Sequence, residues 1–288
     1  MIKKTSNLVA LINVPVGTNF SNQLITNIGN MEDKGVEFSI NAIPVQTKDF
    51  TWNAEFNFTY STAKITNLSV PGDSSSFTLV THGGIAGGTG GTVQVYQVGY
   101  DPQEFYLYKQ VYGANGLPLE GVYADYGRDG SPALQYFKTA TPKIFMGFST
   151  DFAYKHLSMG FTLRAELENY VYNNNASNSY YGGMANGTGF LSNTTTAVLK
   201  DNFVSGQYLS NYFLENASFL KMDNLHFGYD LGKVIDKKVW VRLSAAIQNV
   251  FTITKYTGLD PESPGGSGID NNLYPIPRTF SLGVAIGY

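Results

Sequence analysis

One pattern at the end of the chain constrains the fold most. From Thr279 to Tyr288 apolar residues (Phe280, Leu282, Val284, Ile286, Tyr288) alternate with small or polar ones (Thr279, Ser281, Gly283, Ala285, Gly287). A period of two belongs to a strand with one apolar face, not to a helix. The same period recurs upstream. Val36, Phe38, Ile40 and Ala42 oppose Glu37, Ser39 and Asn41; Trp52, Ala54, Phe56, Phe58 and Tyr60 oppose Thr51, Asn53, Glu55, Asn57 and Thr59. It continues through 144–154, where only Thr150 interrupts the apolar phase, and through Leu157–Leu167 and Lys238–Phe251. Within Leu214–Tyr229 the apolar phase switches between Met222 and Leu225, which predicts a bulge. Lys3–Ile12, Val93–Tyr112 and Leu119–Asp125 are less regular strand candidates. The expected fold is therefore all-β.

Two architectures fit such strands: a soluble β-sandwich with one wet face, or a transmembrane β-barrel. The charges inside the clear strands (Glu37, Glu55, Asp151, Arg164, Glu166, Glu168, Arg242) all lie on the polar phase. Both architectures require that. Several strands, however, exceed the roughly 9–11 residues that cross a bilayer. Connections also alternate between short turns and long loops, the habit of outer-membrane barrels. Counting back from Tyr288 puts the C-terminus on the short-turn, periplasmic side. We expect an antiparallel barrel wall of about ten strands. Tyr60, Tyr154, Tyr170, Tyr172 and Trp52 are candidates for its interfacial aromatic girdles.

Composition closes several other doors. Charged residues make up only 14% of the 288, as do aromatics, and the net charge is −3. That balance carries no basic nucleic-acid footprint. With no Cys and three His, disulfide, thiolate and Cys-zinc chemistry are excluded. No apolar run is long enough for a membrane-spanning helix. Met1-Ile2-Lys3-Lys4 and Leu8–Val16 imitate a signal peptide, but Asn13 and Pro15 break the apolar run and no cleavage site follows. A secreted barrel needs such a signal, so the natural N-terminus is expected upstream.

The residues also carry a resemblance. Asn27-Ile28-Gly29-Asn30-Met31-Glu32-Asp33-Lys34-Gly35-Val36-Glu37 resembles a stretch of the SusC/RagA-type TonB-dependent transporters of Bacteroidetes, with Asp33 where Asn is usual. Gly116-Leu117-Pro118, Asp129-Gly130, Thr141-Pro142-Lys143 and Gly147-Phe148-Ser149 are similar to that family's central strands. Ala217–Tyr229 (ASFLKMDNLHFGY), Gln248-Asn249-Val250-Phe251, Thr254–Glu262 (TKYTGLDPE) and Tyr274-Pro275-Ile276-Pro277-Arg278 resemble its closing segment. Ser281-x-Gly283-x-x-Ile286-x-Tyr288 looks like the terminal signature read by the barrel assembly machinery. The resemblance implies a barrel of about twenty-two strands, of which residues 1–288 would be the C-terminal portion, with plug, TonB-contacting segment and N-terminal strands absent. It implies import of oligosaccharides, peptides or other large nutrients across the outer membrane, with a SusD-like surface lipoprotein as partner. A complete small outer-membrane pore and a soluble carbohydrate-binding sandwich are the alternatives.

Site chemistry is sparse. Asp125-x-Gly127-x-Asp129-Gly130 starts like a calcium loop, but Tyr136 stands where a bidentate Glu belongs, so a solvated turn is the simpler reading. His82, His156 and His226 lack a spaced acid and nucleophile. Glu166 and Glu168 share a strand phase, as glycosidase carboxylates do, yet an acidic lumen lining accounts for them. The run GGIAGGTGG lacks the Lys-Ser/Thr of a phosphate loop. Neither catalysis nor a cofactor is expected. Tyr180 and Tyr181, in a long loop, are the candidates for stacking on sugar rings. Truncating Tyr288 is expected to lower the outer-membrane, heat-modifiable fraction several-fold; an unchanged fraction on SDS gels counts against the assembly signal.

Overall fold

The computed structural model describes residues 1–6, 8–13, 17, 23–69, 77–88, 90–127, 130–185, 189–234, 238–262, 266–271 and 274–288. Its first half holds strands β1 (Ile2–Ser6), β2 (Val9–Asn13), β3 (Gln23–Asn27), β4 (Gly29–Gln46), β5 (Phe50–Leu68), β6 (Val80–Gly84), β7 (Thr92–Tyr96), β8 (Glu104–Tyr108), β9 (Gln110–Tyr112), β10 (Pro118–Tyr123) and β11 (Leu134–Thr139). There follow β12 (Ile144–Tyr154), β13 (Leu157–Leu167), β14 (Tyr170–Tyr172), helices α1 (Asn174–Ser177), α2 (Tyr181–Met184) and α3 (Val198–Asp201), then β15 (Leu214–Asn216), β16 (Phe219–Lys233), β17 (Trp240–Thr254) and β18 (Thr279–Gly287).

Eight of these strands make one antiparallel sheet in the order β1-β4-β5-β12-β13-β16-β17-β18. Consecutive long strands are neighbours, the up-and-down topology of a barrel wall. β2 and β3 extend it, because the register of β1 on β4 runs unbroken into that of β2 on β3. Two hydrogen bonds, Leu8 N–H to Gly29 O and Ile28 N–H to Leu8 O, close the gap. β4 and β5, at 18 and 19 residues, are the longest strands.

Register turns the sequence alternation into two continuous faces. Phe38, Phe58, Met146, Ala165, Leu220 and Ile253 align across six strands. Trp52, Phe152, Met159, Phe227, Ala245 and Leu282 form a second such row. This face has no second sheet over it: Phe38 is 51% and Leu282 90% exposed. A soluble sandwich would bury these side chains; a bilayer covers them instead. Thr150, the one polar residue that β12 places on this face, is silenced. Its hydroxyl donates to Asn53 O and accepts from Trp52 Nε1, both at 2.9 Å, so neither polar group is left bare.

The expected bulge is present. Leu163 faces Met222 and Thr162 faces Asn224, so Asp223 is the extra residue of β16. Asn249, at φ 53°, accompanies a second register shift between β16 and β17.

The structure differs from the sequence reading in the middle of the chain. Val93–Tyr112 and Leu119–Asp125 do not enter the wall. They break into β7, β8, β9 and β10, and β6, β7, β8 and β11 build a separate four-stranded sheet. Removing two strands preserves parity, so the C-terminus stays with the short turns. Residues 47–49, 155–156 and 234–239 join strands on one side. The excursions 69–143, 168–218 and 255–278 all leave from the other. Those three pack into a cap with its own core of Val93, Phe105, Leu107, Tyr172, Phe213 and Ile269, among others. Tyr172 is fully buried there, and Tyr170 packs against that core, which removes both from the aromatic girdle. Tyr60 and Tyr154 remain exposed at 41% and 49%.

Gly35 shows why its motif needs glycine. A Cβ there would lie 2.5 Å from the backbone oxygen of Tyr60 on β5, where no side-chain rotation can relieve it. Gly35→Val is expected to destabilise the wall by about 1–3 kcal/mol, read as a lower temperature for loss of the heat-modifiable band.

Candidate functional site

The polar face of the wall carries a connected cluster of charges. Arg164 on β13 is the centre of a cluster. Its guanidinium donates to Glu166 at 2.9 Å, to Asp223 at 3.2 and 3.3 Å and to Glu262 at 2.7 Å. Lys221 on β16, 4% exposed, donates to the other oxygen of Glu262 at 2.6 Å. The bulge therefore has a role: it aims Asp223 at Arg164 instead of at the apolar face. The Phe219 ring lies 5.4 Å from the guanidinium and gives it a flat floor. Glu262 comes from the 255–278 excursion, so the cluster latches a cap loop onto the wall.

Glycines shape the rest of this face. Gly160 on β13 sits between Asp151 on β12 and His226 on β16. With no side chain in the way, Asp151 Oδ1 reaches His226 Nε2 at 3.1 Å across an intervening strand. Gly228 lets Arg242 Nη2 reach Ser158 Oγ at 3.3 Å in the same manner.

Above the wall the cap is tied by asparagines. Buried Asn174 donates to Ala86 O at 2.9 Å and to Asn271 Oδ1 at 2.5 Å, joining all three excursions. Asn173 Nδ2 donates to Glu215 at 2.9 Å, and Tyr256 donates to Asp270 at 2.7 Å. His82 stacks on Tyr96 at 3.9 Å with a ring nitrogen 2.9 Å from Pro102 O. Burial pushes its pKa down to about 4, only partly offset by that backbone contact. It is a histidine packed into the cap by ring stacking and a backbone contact.

The sequence candidates separate accordingly. Tyr180 packs edge-on against Tyr208 at 6.5 Å beside the cap core, while Tyr181, 41% exposed, faces solvent. Asp125 is exposed and accepts from Gln135 Nε2 at 3.0 Å; Asp129 lies outside the described residues. Among the described residues no three His, Asp or Glu side chains cluster as metal ligands. Glu166 and Glu168 are not a facing pair: β13 ends at Leu167, and Glu168, at φ 62°, turns to Lys143 at 3.3 Å. Ser281, Gly283 and Ile286 lie on β18, with Gly283 opposite Ser244. A Cβ at Gly283 would stand 2.6 Å from Ser244 Oγ. Nothing in the sequence pairs Glu262 with Arg164 and Lys221; only the long-range fold does.

Fold and polar face together define a section of antiparallel transmembrane barrel wall with its long loops. Comparison with known proteins narrows this. No protein-family model matches the chain. It is 39% identical over 296 residues to TonB-dependent receptor SusC of Bacteroides thetaiotaomicron, covering 99% of the chain and 29% of that receptor. It is 31% identical to TonB-dependent receptor P3 of Formosa agariphila, covering 98% of the chain and 31% of the receptor. Among solved structures, the RagAB peptide importer in its open-open state superposes with TM-score 0.72 at 23% identity, over 98% of this chain and 31% of that one. Its closed-closed state gives 0.70 at 22%. Over nearly its whole length the chain is similar to one stretch of these TonB-dependent receptors. It spans about three-tenths of the length of the curated relatives it matches.

The latch carries a pH dependence. Burial alone would raise the Glu262 pKa, but hydrogen bonds and charge from Arg164 and Lys221 outweigh it and hold the carboxyl below its usual range. A depressed folded pKa stabilises above the unfolded value and is lost as pH falls through the folded one. Acidification below about pH 4 is expected to free the 255–278 excursion, and Glu262→Gln to do so at neutral pH. Limited proteolysis should show cleavage there rising at least fivefold.

Proposed function

We propose that this chain forms the C-terminal part of the barrel wall of a SusC-like transporter, importing oligosaccharides or other large nutrients across a Gram-negative, Bacteroidetes-type outer membrane. The observation that carries this is the register: one uncovered apolar belt across the wall and one charged, hydrogen-bonded face behind it. A bilayer needs the first and a solute path needs the second. A complete ten-stranded pore fits less well, because β1 and β18 lie at opposite ends of an open sheet. In hydrocarbon such edges need further strands.

In this reading the plug and the TonB-contacting segment come from outside residues 1–288 and couple energy to release of the bound nutrient. A SusD-like lipoprotein closes over the cap formed by the three excursions. Tyr181 offers a sugar a flat face at the cap surface, and Tyr180 supports it from the core. Ser281, Gly283, Ile286 and Tyr288 present the outer edge of β18 to the assembly machinery. The chain has no catalytic task.

A chimera tests the reading. Residues 1–288 replace the matching segment of the 39%-identical SusC receptor, and uptake of that receptor's own substrate is followed in cells. Retention of at least a tenth of the parental rate, with the chimera in the outer-membrane fraction, is expected. A chimera that reaches the membrane and carries nothing overturns the transport role; one that stays soluble overturns the barrel.

A further inference from the structure

The outward phase of β4 and β5 changes character at the end from which the loop excursions leave. Val36, Phe38, Phe58 and Tyr60 belong to the uncovered apolar belt. Two residues beyond Val36 on the same phase stands Lys34, opposite Thr62, and two further stands Glu32. Glu32 has a lysine directly across on each flank, Lys4 on β1 and Lys64 on β5. Directly paired side chains start about 5 Å apart, and all three lysines act on the Glu32 charge. Lys34 Nζ meets the carboxylate at 2.5 Å. The Glu32 side chain is tucked in at 16% exposed, whereas that of Lys34 is 55% exposed. Lys4 and Lys64 are exposed as well. Three cations thus share one carboxylate, an excess of positive charge on a chain whose net charge is −3. A cavity of 370 Å³ opens beside Lys4 and Glu32, with the hydroxyl-bearing Ser6 and Thr66 on its wall.

Depth decides what this surface meets. From Trp52 to Tyr60 the belt on β5 rises about 27 Å along the strand, or about 21 Å across the membrane at a tilt near 40°. The apolar band of an outer-membrane barrel is about 25 Å tall, so Tyr60 stands at its margin. Lys34 then lies about 5 Å beyond that margin and the Lys4–Glu32–Lys64 row about 10 Å. Headgroups fill about 5–8 Å on each side of the hydrocarbon, a layer that flexible lysine stems reach into. Beneath the lysines, Val36 and Phe38 are 64% and 51% exposed and offer acyl chains an apolar surface. Lysine binds phosphate as a compact point charge. A zwitterionic headgroup would bring a cation of its own to a corner that is already cationic.

We infer that Lys4, Lys34 and Lys64 form a seat for the phosphate of an anionic lipid headgroup, with the acyl chains lying down the β4–β5 face. This rests on the barrel-wall reading above, because it takes the uncovered phase as lipid-facing. Glu32 holds Lys34 until a phosphate takes over that contact, and Ser6 and Thr66 offer hydroxyls to the remaining phosphate oxygens. The charges on the outward phase mark where the hydrocarbon ends.

The test uses the chimera described above, in which strands of the receptor flank β1 and β18. Stripped of lipid in detergent, it is titrated with dioleoyl phosphatidic acid, and native mass spectrometry reads the first bound lipid. Phosphatidic acid is expected to bind at least tenfold tighter than dioleoyl phosphatidylcholine. Lys4→Gln/Lys34→Gln/Lys64→Gln should weaken phosphatidic acid at least tenfold, and the corresponding triple Arg variant should stay within threefold of the parent. Glu32→Gln, which frees Lys34, should tighten binding at least threefold and keeps the test open if the triple Gln variant fails to fold. Equal binding of the two lipids, a folded triple Gln variant that binds like the parent, or a Glu32→Gln variant that binds no tighter overturns the seat. Displacement by equimolar glycerol phosphate overturns it too, in favour of a site for soluble phosphates. A chimera that is not heat-modifiable overturns the wall and the seat together, and that readout needs no lipid.

Discussion

Hydrocarbon offers a peptide group no hydrogen-bond partner, so a chain that crosses it must pair every N–H and C=O with itself. Everything else in the wall follows from meeting that condition with antiparallel strands. Pairing fixes register, and register places each side chain on one of two faces. Nearly the whole apolar phase of the sequence then becomes lipid-facing. Even the exception obeys: Thr150 survives on the apolar face because its hydroxyl and the Trp52 indole satisfy each other and Asn53.

The condition stops at the membrane surface, and the chain changes character there. Excursions 69–143, 168–218 and 255–278 need not alternate, and they do not. They bury aromatic residues in a core of ordinary globular kind and cross-link through asparagine side chains, Asn173 and Asn174 above all. The Glu262 latch joins the two regimes. A loop carboxylate is set between two wall cations, one of them almost fully buried, so the cap is fastened to the wall by charge as well as by chain connectivity.

This division explains how much was legible in the sequence. Strands 144–154, 157–167 and 279–287 and the bulge at Asp223 are local consequences of period two, and they read correctly. Charge segregation holds through the middle of the wall but not at the outer ends of β4 and β5, where Glu32, Lys34 and Lys64 share the phase of Val36 and Phe58. Val93–Tyr112 did not. Its aromatics, Phe105 and Tyr106 among them, have strand propensity, but Phe105 is spent on the cap core, and no local signal distinguishes a cap strand from a wall strand. Tyr172 misled for the same reason, being an aromatic beside a strand end whose neighbours are set by distant loops. Of the lumen site, only the polarity of Arg164 and Glu166 was visible. The partners Asp223, Lys221 and Glu262 lie far along the chain, and they meet only once the sheet has closed its register.

The glycine gaps in the lumen face have a consequence for that register. Alternation alone is ambiguous: a strand that slides by two residues keeps every apolar side chain on the correct side. Gly160 breaks the degeneracy. Only one alignment puts it between Asp151 and His226, and Gly228 does the same for Ser158 and Arg242. A slide by two would drop a side chain into each gap and part the groups that meet across it. Absent side chains thus act as keys, recording a unique alignment in a wall whose repeating pattern could not by itself tell one tooth from the next.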